Sequence, residues 1–139
     1  MSYDDIVADF EFLDEWEDRY RYVIELGRTL EPLPQEAHND TNKVHGCVSQ
    51  VWLETTVEQA PDGDPVLHFK GDSDAHIVSG LVAIMLKLFS GQTASKILET
   101  DANAALKQLG LDEALTPQRS NGLASMIQRI KSDAQNALA

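Results

Sequence analysis

A single cysteine, Cys47, stands in the stretch VHGCVSQVWL at residues 44–53, after Gly46 and two residues after His45. A thiolate is both a nucleophile and a metal ligand. One cysteine makes no intrachain disulfide and builds no thiolate cage alone. Zinc would need two or three further converging ligands. His38, His45, His68 and His76 are instead scattered over loop, strand and helix start. A cysteine hydrolase needs a base in line with the thiol and a third group to orient that base. His45 is so near in sequence that a tight loop rarely presents both side chains together. Sulfur transfer asks for less: a thiolate, a reachable persulfide sulfur and a leaving thiolate on the donor. Gly46 permits a steep bend that lifts Cys47 out of regular pairing. His45, Lys43 and the distant Arg119 are the cations available to favour a thiolate. Free cysteine is also among the most buried residue types. The residues alone leave Cys47 either reactive or a small buried hydrophobe.

Two further positions could serve that thiol. Asp72 and Asp74 flank Ser73 at a predicted helix start, where carboxylates cap the helix and face its positive end. Asp74 could instead steady the Cys47 loop by accepting hydrogen bonds from backbone or from Arg119. Arg119, in TPQRSNG, is the sole arginine between Arg28 and Arg129. It either ties its loop to the next helix or supports the thiolate.

The elements that must hold these groups follow from periodicity. Ile6, Phe10 and Leu13 predict a short amphipathic helix over 3–13. Trp16, Tyr20, Val23, Ile24 and Leu30 predict another over 15–30, with Asp14 as cap and Pro32 and Pro34 ending it. Residues 31–42 read as a surface loop. From Gln50 the period becomes two, with Val51, Leu53, Thr55 and Val57 on one face. Pro61-Asp62-Gly63-Asp64 is a turn, and Val66–Lys70 returns antiparallel. A third short strand is expected through Lys43 and Val44, leaving Gly46 and Cys47 in a tight connection at the sheet edge. After Gly71 the chain reads helical. Asp72 or Ser73 caps a central apolar helix that ends at Ser90-Gly91. Short helices follow over 93–100 and from Asp101 to Gly110, then a loop over 111–121 and a terminal helix from Gly122 to Ala137. Together they predict one α+β domain spanning 1–139, a small antiparallel three-stranded sheet covered by helices.

Bulk composition narrows the function. The 139 residues carry 23 acidic against 11 basic side chains, a net charge of -12. Such a surface repels phosphate backbones, which argues against nucleic acid and anionic membranes and favours a basic protein patch as partner. Residues 1–20 are acidic and lack a signal-peptide core, and the apolar run Leu81–Leu86 is too short to span a bilayer. A free thiol suits a reducing compartment, so a cytoplasmic location is expected.

Three blocks now carry a resemblance: VHGCVSQVWL, GDSDAHIVSGLVAI from Gly71 and LTPQRSNGLASMIQRI from Leu115. With YVIELG from Tyr22, EPLP after it and FSGQTASKIL from Phe89, they resemble the SufE family in the right order over nearly the whole chain. Members of that family are cysteine desulfuration proteins, sulfur acceptors for group II cysteine desulfurases. The resemblance implies a SufE/IscU-like fold and makes Cys47 the sulfur-accepting cysteine. It places Asp74 and Arg119 in motifs that support the cysteine loop. It implies no cofactor in this chain, because the pyridoxal phosphate belongs to the desulfurase, a SufS- or CsdA-like enzyme. An iron–sulfur scaffold complex would receive the sulfur, and a weak homodimer is a further partner to test. Relatives often carry glutamine after the cysteine, where this chain has Val48. The competing expectation is a regulatory adaptor that docks on the desulfurase without carrying sulfur. A third is a cluster shared between two Cys47 residues of a homodimer, which leaves cluster ligands unfilled.

Overall fold

The computed structural model describes residues 2–47 and 49–139. Helix α1, Tyr3–Glu11, begins with a reciprocal cap: Ser2 Oγ accepts from Asp5 N, and the Asp5 carboxylate accepts from Ser2 N. It buries Ile6 and Phe10. Helix α2, Trp16–Gly27, buries Val23 and Leu26. Its N-cap is Glu15, with no side-chain cap, so Asp14 does not serve there. The connector after it holds a short 3-10 turn, Gln35–Ala37, and buries Leu33 and Ala37.

Strands β1, Val51–Glu58, and β2, Val66–Ser73, pair antiparallel from Val51↔Ser73 to Glu58↔Val66. The expected alternation holds where the sheet meets helices: Val51 and Leu53 are buried, while Val57 at the far end is exposed. That end of β1 runs past the core. Two sequence expectations are corrected here. The third strand is β3, Gln92–Thr93, which pairs with β2 at Val66 and Leu67. Gly91, at φ 81°, turns the chain back toward β2 and donates its N–H to Leu67 O. Lys43 makes only an isolated bridge to Trp52, on the opposite edge of β1. Nor do Asp72 and Ser73 cap the central helix, because pairing with Trp52 and Val51 keeps them in β2.

That helix, α3, runs from His76 to Phe89 with N-cap Ala75, and it is the centre of the core. Leu81, Ile84, Met85 and Phe89 are fully buried, each worth about 1.5–3 kcal/mol in burial. Three short helices follow: α4, Ala94–Glu99; α5, Ala102–Gln108; and α6, Leu111–Ala114. Thr93 and Asp101 cap the first two. Helix α7 spans Pro117–Leu138, capped by Thr116 Oγ1 and opened by proline at its first turn. The expected loop over 111–121 is therefore mostly helix. Thr116-Pro117 is a start signal that lies ahead of Gly122. Among the described residues no helix is long and apolar enough to cross a membrane.

Candidate functional site

Three elements meet at Cys47: the end of the edge segment that pairs with β1, the first turns of α3, and the first turns of α7. Val44 N donates to Val51 O at 2.8 Å, which anchors the segment three residues before the cysteine. Gly46 then turns the chain at φ 94°. That angle favours glycine, and a side chain there would also displace the Ser125 hydroxyl, which lies 2.5 Å from the position of a Cβ. Cys47 follows half-buried, its Sγ 3.5 Å from the carbonyl oxygen of Gly122 on α7.

The thiol lines a cavity of about 250 Å³. Ile77, Val78 and Leu81 of α3 and Met126 of α7 form its apolar wall, and Ser49, Thr116, Gln118 and Arg119 bring polar groups. Arg119 is the one charged side chain among the described lining residues. Its guanidinium lies 5.8 Å from the Tyr20 ring centroid, and Nη2 donates to Tyr20 Oη at 3.5 Å. Burial pushes the Cys47 thiol above its ordinary value, since a thiolate in this setting loses hydration. At neutral pH the resting thiol is protonated, and any step that exposes it raises its thiolate fraction.

Asp74 sits on the exposed side of the same region. Its Oδ1 accepts from Gln50 N at 3.0 Å, and its own N–H donates to Gln50 O at 3.3 Å. Ser73 Oγ donates to the same Gln50 oxygen at 2.7 Å. The pair extends the β1–β2 ladder one step toward the cysteine, so Asp74 holds backbone three residues beyond Cys47. It makes no hydrogen bond to Arg119 among the described residues, and Arg119 is instead on the cavity wall. His45 is exposed beside Cys47, and Val48 lies outside the described residues. No group of three or more His, Cys, Asp or Glu side chains among the described residues is arranged to hold a metal ion.

Residues 4–134 match the family described as SufE, Fe-S metabolism associated domain. The chain belongs to the SufE family. A SufE-like protein of Rhizobium meliloti (strain 1021), described as uncharacterized, is 56% identical over 137 residues, which is 99% of this chain and 97% of that protein. Another uncharacterized SufE-like protein, from Rhizobium etli, is 54% identical over 134 residues, 96% of this chain and 90% of its own. The solution structure of a hypothetical protein from Thermus thermophilus superposes with a TM-score of 0.71 over 99% of this chain and 98% of that one. At 22% identity that likeness speaks to fold alone. The sheet flanked by helices is thus the SufE/IscU-like α+β fold.

Within this SufE-family chain, sequence reasoning missed Gly122 and Tyr20 as neighbours of the site. Gly122 carried a signal: a glycine costs about 1 kcal/mol inside a helix, so its presence there asks for a reason. A Cβ there would meet Cys47 Sγ at 3.5 Å, an ordinary contact, so the fit against Cys47 does not itself demand glycine. Tyr20 carried no such signal, since an aromatic residue on an amphipathic stripe reads as packing.

Proposed function

We propose that this protein is a sulfur acceptor: Cys47 takes persulfide sulfur from a group II cysteine desulfurase, stimulates that enzyme, and passes the sulfur to an iron–sulfur assembly scaffold in the cytoplasm. The observation that carries the reading is the half-buried Cys47 thiol at a cavity shared with Arg119, in a chain of the SufE family. The Cys47 thiolate attacks the outer sulfur of the desulfurase persulfide. The new bond joins Cys47 Sγ to that sulfur, the enzyme's S–S bond breaks, and the desulfurase cysteine leaves as thiolate. Cys47 becomes a persulfide, Cys47–S–SH, with the proton remaining on the transferred sulfur. No net oxidation occurs, because one persulfide replaces another. Pyridoxal phosphate chemistry stays with the desulfurase.

The geometry supports three parts of this reading. The cavity of about 250 Å³ beside Sγ is large enough for one more sulfur atom. The Arg119 guanidinium is the cation available to an anionic sulfur there. Asp74 holds the far side of the cysteine connection through Gln50. The test is intact mass after incubation with a group II desulfurase and L-cysteine. Cys47 gains one sulfur mass, the Cys47→Ser protein gains none, and sulfide release is stimulated only by the unaltered protein. Full stimulation by Cys47→Ser, with no added mass on the native chain, would establish the adaptor reading instead.

A further inference from the structure

The segment that delivers Cys47 is bound on both sides. Toward the sheet, Asn42 O accepts from Leu53 N at 2.7 Å and Val44 N donates to Val51 O at 2.8 Å. Lys43 N closes a turn onto Asn39 O at 3.0 Å, and the carbonyls of Thr41 and Lys43 are offered to α7 rather than to β1. On an edge segment those oxygens have no neighbouring strand. Arg129 of α7 meets both: Nη2 donates to Thr41 O at 2.9 Å and Nη1 to Lys43 O at 3.3 Å. Its Nε donates to Asp133 Oδ1 and Oδ2 at 3.3 and 3.4 Å, and Asp133 Oδ2 accepts from Thr55 Oγ1 of β1 at 2.6 Å. The Arg129 and Asp133 side chains are only 24% and 19% exposed, so salt screens this pair less than one on the open surface. One planar fork thereby satisfies both carbonyls at once, a geometry that a lysine ammonium cannot reproduce.

Gly122, Ser125, Arg129 and Asp133 fall on one face of α7 by their helical spacing. The segment runs antiparallel along that face. Thr41 and Lys43 meet Arg129, Gly46 abuts Ser125, and Cys47 Sγ rests at Gly122 O. We propose that Arg129, held by Asp133, is a positioning residue for the reactive thiol: by fixing the 41–43 backbone on α7 it sets Cys47 against Gly122 and the cavity. The importance of that placement rests on the sulfur-acceptor reading, but the placement itself is testable without a desulfurase.

The test is the pH dependence of Cys47 alkylation by iodoacetamide in the full chain, compared with Arg129→Gln and Arg129→Lys. With the clamp removed, Arg129→Gln is alkylated several-fold faster at neutral pH. Its midpoint also moves down toward that of an ordinary thiol, because more of the side chain meets water. Arg129→Lys keeps the charge and one donor group and lies between. Arg119 on the cavity wall, the neighbouring His45 and Asp74 at Gln50 are present in all three proteins, so the difference reports the clamp. An unchanged rate and midpoint in a folded Arg129→Gln protein overturns the proposal. Should that variant fail to fold, Arg129→Lys is judged by the same measure, and failure of both to fold makes Arg129 a general staple and also overturns it. No sulfur donor enters this assay. A native chain that accepts no sulfur therefore defeats the functional reading while leaving this result intact.

Discussion

The placement of the Cys47 thiol turns on Gly46. Its φ of 94° lies where a side chain is strained, and the space a Cβ would take is held by Ser125 Oγ. Gly46→Ala is expected to cost about 1–2 kcal/mol from the backbone angle alone, read as a lower denaturant midpoint. The same change pushes the connection off α7, so Cys47 alkylation accelerates alongside the loss of stability. A midpoint equal to that of the native protein would mean that the bend is not held by α7. Arg119 and Asp74 lie in different places around this thiol. One is a cation on the cavity wall, and the other is a backbone partner of Gln50 on the sheet side. Legibility at this scale divides along the same line. Residue type alone marked Cys47 as the candidate, whereas the pairing of Asp74 with Gln50 depends on β2 continuing through Ser73.

At the scale of elements, the site depends on how closely α2 and α3 approach. A Cβ on Gly80 would overlap the Val23 carbonyl oxygen and lie 2.6 Å from Val23 C, both backbone atoms of α2. Neither can swing aside as a side-chain tip could. Gly80→Ala is therefore expected to destabilise the fold by about 3 kcal/mol or more through overpacking, measured by chemical denaturation. Loss of under about 1 kcal/mol would show that the helices separate readily. The consequence reaches the cavity, because Ile77, Val78 and Leu81 on α3 form its apolar wall. Periodicity revealed α3 well, since one turn after another of apolar residues has no other explanation. It did not reveal the start of α7, where Thr116-Pro117 opens the helix. Proline and glycine in TPQRSNG look like loop punctuation when the cap is not recognised.

The whole molecule carries a pH-dependent tie between its connector and its sheet. His38 Nε2 lies 2.8 Å from Asp72 Oδ2, and the ring packs edge-on against Trp52 at 4.7 Å between centroids. The hydrogen bond to Asp72 is the main cause that raises the His38 pKa above its ordinary value near 6.5. The folded state thus binds this proton more tightly than the unfolded chain. Its contribution is fully present below the ordinary value and is lost as pH rises through the folded value. The stability gap between the native protein and His38→Ala should accordingly be wider near pH 5.5 than near pH 8.5, values chosen to bracket about 6.5. Denaturation at the two pH values measures it, and a gap that is constant or grows with pH would refute the assignment. The net charge of -12 acts on a longer range, favouring a basic partner face and weakening that attraction as salt is added.

Some of this was written in the chain itself. Hydrophobic period two marked β1 and the 3.6-residue period marked α3, because local spacing determines which residues can share a face, while the resemblance to the SufE family came from the motif blocks around Cys47, Asp74 and Arg119. Other features came only with tertiary structure. The third strand proved to be Gln92–Thr93 because a two-residue strand has too little pattern to read, and its pairing depends on where α3 ends. Cys47 meets Gly122 across a sequence separation of 75 residues, and Arg129 reaches Lys43 across 86. Contacts of that range depend on how helices cross and how carbonyls orient, quantities that no local pattern encodes.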